Sequence, residues 1–300
     1  MRGSFVVYIA YLFINQNNKP MKKVLLMIAA AATFVACSND EISRENRERQ
    51  DTRVTLTFSP YTMEAIDTRA ATSIADVVTH LDVWITEGTN TIDLHQTTAD
   101  ADFGTLTTVL DKTKTYTLYA VAHKCADNAT LTDGVISFPD DKVTHSMYYT
   151  TTFSPGTTTN LSCLMTRIVA MFRMETTDAV PAECKKMRFT MGSTFNRWSV
   201  TTGGTNQIDR QSLVNITSTN QDGTASFNIY AIVTDAQTQH TITVEALDAN
   251  EQPTQTARVF ENVPLRNGYR TTYRGVFFRE LDMTMTFMVD DWQDYDTVNF

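Results

Sequence analysis

Thr115-Tyr116-Thr117-Leu118-Tyr119-Ala120-Val121-Ala122 alternates strictly, with Tyr116, Leu118, Ala120 and Ala122 as one set and Thr115, Thr117, Tyr119 and Val121 as the other. In an extended chain successive side chains point to opposite faces, so this stretch reads as a strand with one buried face. The same period of two runs outward in both directions. Upstream, Val54, Leu56 and Phe58 alternate with Arg53, Thr55 and Thr57, and Leu81, Val83 and Ile85 with His80, Asp82 and Trp84. Downstream come Ile168-Ala170-Phe172-Met174, Met187-Phe189-Met191, Phe227-Ile229-Ala231-Val233 and Ile242-Val244-Ala246, then the apolar runs 259–263, 269–278 and 283–289. Glu87-Gly88-Thr89-Asn90, Thr132-Asp133-Gly134, Ser154-Pro155-Gly156 and Asp248-Ala249-Asn250 punctuate the runs as turns, and Gly203-Gly204 marks a loop. Helical periodicity is confined to single turns at Ser73–Val78 and Pro181–Lys186. Short strands at this spacing predict an all-β protein of antiparallel sandwiches. A strand around Asn160–Met165 closes a first unit, giving an N-terminal sandwich over 53–165 and a C-terminal one over 166–300. About 110 to 130 residues suits one sandwich each, with separable cores meeting near Thr166-Arg167.

Composition agrees. Thr fills 50 of 300 positions, and a β-branched residue is at home on a pleated, half-solvated face. From residue 37 onward there are 21 Lys+Arg against 34 Asp+Glu, a charge of 21 − 34 = −13. Such a surface argues against nucleic acid, whose phosphates are held by clustered bases.

The N-terminus reads as an address. Residues 1–20 are expected to be an upstream start-site extension, with Met21 the true start in preference to Met1. Lys22 and Lys23 precede an apolar run from Val24 to Ala32, and Phe34-Val35-Ala36 lead into Cys37. That is a charged region, a hydrophobic region and a small-residue cleavage site, too short for a stable membrane span. A Cys after the small residue resembles the lipobox of bacterial lipoproteins. The resemblance implies a signal peptide over 21–36, cleavage before Cys37 and acylation of its thiol. Residues 37–52 are polar and charged and read as a solvated tether. Ser38 followed by Asp40 and Glu41 resembles the surface-export signal of Bacteroidetes lipoproteins, with Asn39 departing from it.

No constellation for catalysis stands out, and no cofactor or metal is expected. The five histidines (His80, His95, His123, His145, His240) are scattered in sequence, without a His-Glu-x-x-His pattern or a Gly-x-Ser-x-Gly elbow. His123-Lys124-Cys125 lacks a second pair at zinc spacing. Cys125, Cys163 and Cys184 are odd in number, allow at most one disulfide and read as small buried residues. Asp290, Asp291, Asp294 and Asp296 around Trp292 carry hard-cation chemistry but not the spacing of a calcium loop. Trp84, Trp198 and Trp292 with Tyr148-Tyr149 read as packing residues in preference to a platform for sugar rings.

Four stretches carry a family likeness. They are Ile66-Asp67-Thr68-Arg69-Ala70 ahead of the strand His80–Ile85, Leu164-Met165-Thr166-Arg167-Ile168-Val169-Ala170-Met171-Phe172, Asn262-Val263-Pro264-Leu265-Arg266-Asn267-Gly268-Tyr269-Arg270-Thr271, and Val289-Asp290-Asp291-Trp292. In this order, behind a lipobox, they resemble the fimbrillin superfamily of Bacteroidales type V pili, and within it the lipid-anchored anchor or accessory subunits (the FimB/Mfa2-like group). The likeness spans about residues 37–300. It implies two tandem transthyretin-like, Greek-key β-sandwiches and a non-enzymatic anchor, accessory or tip role in fimbrial assembly and cell adhesion. It also implies partnership with other fimbrial subunits by β-strand addition, and attachment to the outer membrane, facing outward, through lipid on Cys37. A host or glycan ligand is compatible with it. Two further residue roles come from the resemblance alone. Arg69 is a candidate site for an Arg-specific protease, although cutting an anchor there would separate fold from lipid. The alternating Met283, Met285, Phe287 and Val289 form a candidate donor strand. The rival reading is a surface glycan-binding lipoprotein of a polysaccharide-uptake system.

Cys37→Ala should move the protein from the membrane pellet to the soluble fraction, since one acyl chain binds a bilayer only marginally and stable anchoring needs several. Fractionation of cells expressing the variant checks this, and an unchanged pellet contradicts lipidation.

Overall fold

A computed structural model describes residues 50–61, 73–279 and 285–291. In the N-terminal half the strands are β1 (Asp51–Pro60), β2 (His80–Glu87), β3 (Asn90–Thr97), β4 (Thr105–Asp111), β5 (Tyr116–His123), β6 (Thr130–Thr132), β7 (Val135–Ser137), β8 (Met147–Phe153) and β9 (Asn160–Arg167). A single helical turn, α1 (Ile74–Val77), precedes β2. Ser73 caps it, accepting from the Ala75 amide at 3.3 Å, and it buries Ile74 and Val77. The C-terminal half holds β10 (Ala170–Thr176), β11 (Lys186–Ser199), β12 (Gly203–Asn215), β13 (Ser226–Ala231), β14 (Thr238–Leu247), β15 (Arg258–Leu265), β16 (Tyr269–Gly275) and β17 (Met285–Asp291).

The first half follows the path β3-β2-β5-β8-β9-β1-β4. Its β8–β9 ladder is only two pairs long, Met147↔Arg167 and Tyr148↔Thr166. On either side of that join, Val54, Leu56 and Phe58 of β1 share one core with Leu81, Val83 and Ile85 of β2 and Leu118 and Ala120 of β5. The path therefore folds over at β8–β9 and closes a sandwich. In the second half β13-β10-β16-β17 faces a sheet that runs β15-β14-β11, with β12 on the other side of β11. Phe172 and Met174, Phe189 and Met191, Ile242 and Val244, and Phe260 fill the space between.

The structure differs from the sequence-based expectation in three places. The ladders are not all antiparallel: β1 runs parallel to β9, and β10 parallel to β16. Both pairs join strands far apart in the chain, where no short hairpin dictates direction. Gly203-Gly204 is not loop but the start of β12, and the turn lies at 200–202. Gly204 is glycine because the Phe195 ring lies 2.6 Å from where a Cβ would stand. Finally, β2 is buried on both faces, with Asp82 and Trp84 inside along with Leu81, Val83 and Ile85, and so is the end of β5, where Val121 and His123 are inside with Ala120 and Ala122.

That second face is covered from outside its own sheet. The hairpin β6–β7 turns at Asp133-Gly134, both at positive φ (50° and 74°), as a two-residue hairpin loop requires. Its β7 then adds to the second half, pairing Ser137, Ile136 and Val135 with Arg197, Trp198 and Ser199 of β11. A third hydrophobic cluster results: Trp84, Val121, Ile136, Phe138 and Tyr148 from the first half pack with Val169, Met171 and Ile232 from the second.

Ile136 is fully buried at the centre of this shared cluster. Ile136→Ala should cost about 2–5 kcal/mol. Ile136→Asp should resolve one calorimetric transition into two, because it wets the shared cluster and leaves the other two intact. A single transition retained in the Asp variant contradicts the coupling.

Candidate functional site

The chain ends, among its described residues, at a sheet edge. β17 pairs antiparallel with β16 from Gly275↔Met285 to Tyr269↔Asp291. Phe287 stands opposite Tyr273 and Val289 opposite Thr271. Both β16 residues are buried, and Tyr273 packs in the core with Phe172 (ring centroids 5.6 Å) and Phe260 (5.2 Å). Thr286 and Met288 are exposed. Of the candidate donor residues, Met285, Phe287 and Val289 thus lie in an edge strand paired within its own chain, and Met283 lies outside the described residues.

The segment between β16 and β17 is held from both sides. The Asp178 carboxylate, 2% exposed, accepts the amides of Phe277 (2.8 Å), Phe278 (2.7 Å) and Arg279 (3.0 Å). Arg258 donates from Nε to the Phe277 carbonyl (2.8 Å) and from Nη2 to that of Arg279 (2.7 Å), with its guanidinium 5.6 Å from the Phe277 ring centroid. Sequence reasoning singled out neither residue. Asp178 follows β10 by two positions, and nothing in its surroundings in sequence points across about 100 residues to its partners.

Two of the five histidines, scattered in sequence, meet at one fully buried carboxylate, and a third stacks on one of them. Asp82 accepts from His95 Nδ1 (2.6 Å), His123 Nε2 (2.7 Å) and the Ala129 amide (2.9 Å), and His80 stacks on His123 with ring centroids 5.3 Å apart. The register explains the meeting: Asp82 lies opposite His95 on β3, and His80 opposite His123 on β5. The amide of Cys125 donates to His123 Nδ1 (3.1 Å), which requires the ring proton on Nε2, facing Asp82. Cys125 Sγ turns away to the Lys142 carbonyl (3.2 Å), so His123 and Cys125 do not converge as ligands. Asp82 therefore ties β3, β5 and the approach to β6 together.

His145 occupies the seam between the halves. It is 4% exposed, accepts from Arg167 Nε (3.1 Å) and stacks on Tyr230 of β13 at 5.9 Å. Burial first, then the charges of Arg167 and Lys124, hold this imidazole well below its ordinary range, so the ring is neutral.

Cys163, Cys184 and Cys125 are free thiols, one in each of the three hydrophobic clusters. Burial pushes Cys163 up to about 12 and raises Cys184 as well. Trp84 and Tyr148 do gather with Trp198, Tyr148 and Trp198 having ring centroids 5.6 Å apart, but as interior packing: Trp84 is 2% and Tyr148 8% exposed. Asp290 and Asp291 sit in β17 opposite Arg270 and Tyr269. Cys37, Arg69, Trp292, Asp294 and Asp296 lie outside the described residues. No helix among the described residues is long and apolar enough to cross a membrane.

No family model and no curated protein matches the chain. Among solved structures it is similar to a candidate cell adhesion protein from Bacteroides ovatus, with 13% identity, TM-score 0.48 and coverage of 81% of this chain and 98% of that one. It is similar to candidate polysaccharide binding proteins from Bacteroides thetaiotaomicron at 10% identity and TM-score 0.49, covering 80% and 98%. It is also similar to the fimbrial anchor protein Mfa2 from Porphyromonas gingivalis at 12% identity and TM-score 0.43, covering 80% and 97%. Those names describe those proteins.

The His145 geometry sets a pH dependence. Its folded form binds a proton less readily than the unfolded chain, so the stability from the neutral ring is complete above about pH 6.5 and is lost as pH falls below it. His145→Gln should remove this contribution. The wild-type chain should lose stability relative to the variant by up to about 1.4 kcal/mol per pH unit below 6.5. Urea midpoints for both proteins between pH 7.5 and 5 check it, and a constant difference contradicts the assignment.

Proposed function

We propose that this chain is a non-enzymatic outer-membrane lipoprotein, held by lipid on Cys37 and exposed at the cell surface, that serves as an anchor, accessory or tip subunit of a type V fimbria. It joins neighbouring subunits by β-strand addition. One observation carries the reading: the last described strand of the chain, β17, is an edge strand whose ladder partner among the described residues is β16 alone. Its seven residues, Met285–Asp291, span about 23 Å at ~3.3 Å per residue, enough to pair along a sandwich edge. In strand addition, main-chain bonds supply affinity and the alternating side chains supply register. The order of motifs behind the lipobox supports the same reading.

Arg69 stays uncut in this role. It lies between β1 and α1, and β1 is an interior strand, paired with β9 on one side and β4 on the other. Cutting at Arg69 would free from the body both the lipid and the strand that carries Val54, Leu56 and Phe58 into the core.

Truncation after Arg279 should abolish incorporation into fimbriae while leaving a folded monomer. Phe287→Asp, opposite buried Tyr273, should have the same effect by putting a charge where the alternation calls for an apolar group. Immunogold counts and fimbrial length check incorporation, and circular dichroism checks folding. Fimbriae of wild-type length and number from the truncated chain contradict both the strand role and the fimbrial assignment.

A further inference from the structure

We infer that Asp178 and Arg258 form a clamp that pins the chain at Phe277–Arg279 to the body, so that β17 exchanges between its own β16 and a neighbouring subunit while the sandwich stays closed. The inference rests on the strand-addition reading above and adds where the exchanging arm begins. Its basis is the contrast between what holds residues 277–279 and what holds 285–291.

Residues 277–279 are held by side chains at their backbone groups. Three successive amides converge on one carboxylate that is almost fully buried, and the carbonyls of Phe277 and Arg279 are taken by one guanidinium. The Gln255 amide adds a bond to the Phe277 carbonyl at 3.3 Å, and Phe277 itself is fully buried beside Phe278. Pulling this segment away would leave the Asp178 carboxylate buried without donors, the costliest kind of broken bond. The clamp also crosses the fold, since Asp178 follows β10 while Arg258 opens β15. It therefore ties the chain to both layers of the C-terminal sandwich.

β17 is an edge strand. Among the described residues its ladder runs to one neighbour at the end of a sheet, with Thr286 and Met288 facing solvent. When an edge ladder opens, its main-chain groups pass to water or to another strand of suitable alternation. Opening of β17 thus stops at Arg279.

Hydrogen exchange on the full chain, read by mass spectrometry, tests this. In the wild-type protein amides 277–279 should exchange as slowly as those of 186–191 in β11, and those of 285–291 at least about tenfold faster. Asp178→Asn should bring 277–279 to the rate of 285–291 and leave 186–191 unchanged. If that variant opens everywhere, Arg258→Lys decides, with the same selective loss expected. Equal rates for 277–279 and 285–291 in the wild type overturn the clamp, as does unaltered protection of 277–279 in Arg258→Lys. The two readings fail separately. Fast exchange at 277–279 with assembly still lost on truncation ends the clamp and leaves the fimbrial role. Slow exchange there, with fimbriae normal after truncation, ends the fimbrial role and leaves the clamp.

Discussion

A strand at the end of a sheet has backbone donors and acceptors with no neighbour on one side, and an all-β chain must deal with every such row. Most of this structure answers that constraint. In the first half one side is joined where β8 runs into β9 through Met147↔Arg167 and Tyr148↔Thr166. On the other side Gln96 of β3 bridges to the start of β4: its amide donates to the carbonyls of Asp102 and Thr105 and accepts from the Gly104 amide. In the second half the β13 side is closed by a bridge between Phe195 and Ile232 and by Arg210, whose buried guanidinium donates to the Tyr230 carbonyl. Burial alone lowers this group to about 10. The edge of β16 is answered by β17, the last described strand, through an antiparallel main-chain ladder.

The other buried charges work toward the same end by keeping the body stiff. Asp82 gathers two imidazoles and an amide from three elements, and the loop it holds leads into β6–β7. That hairpin then adds to β11 of the other half, and the shared cluster around Trp84 and Ile136 forms beneath it. Breaking a buried carboxylate from its donors costs more than breaking a surface pair, so such nodes set which parts of the chain move together. Asp178 repeats the device at the far end of the fold.

The alternating runs were legible because one-sided burial writes itself as period two. Val54, Leu56 and Phe58, Leu118 and Ala120, and Phe227, Ile229 and Ala231 all lie inside as their spacing implies. What the sequence hid were faces covered by remote parts of the chain. Asp82, Trp84, Val121 and His123 sit on the polar-looking side of their strands and are buried because β6–β7 and β11 arrive from elsewhere. β12 escaped notice for a related reason. It flanks β11, whose Gly192-Ser193 bulge shifts the register, and its own residues, Thr205 to Asn215, are mostly polar. The bulge holds through His240 Nδ1 on the Gly192 carbonyl and the Asp209 carboxylate on the Ser193 amide, contacts no local pattern announces. The edge strand at the chain end was readable from its alternation. The clamp that delimits it was not, because an isolated Asp and an isolated Arg carry no period.

Locking β17 to β16 tests the central claim most directly. Thr272 and Met288 are register partners, within the reach of a disulfide across an antiparallel pair, and the described native thiols are buried. The double variant Thr272→Cys/Met288→Cys, oxidised, should fold normally yet be absent from fimbriae, and reduction of the bond should restore incorporation to the wild-type level. Incorporation of the oxidised, fully cross-linked protein at the wild-type level would contradict the account.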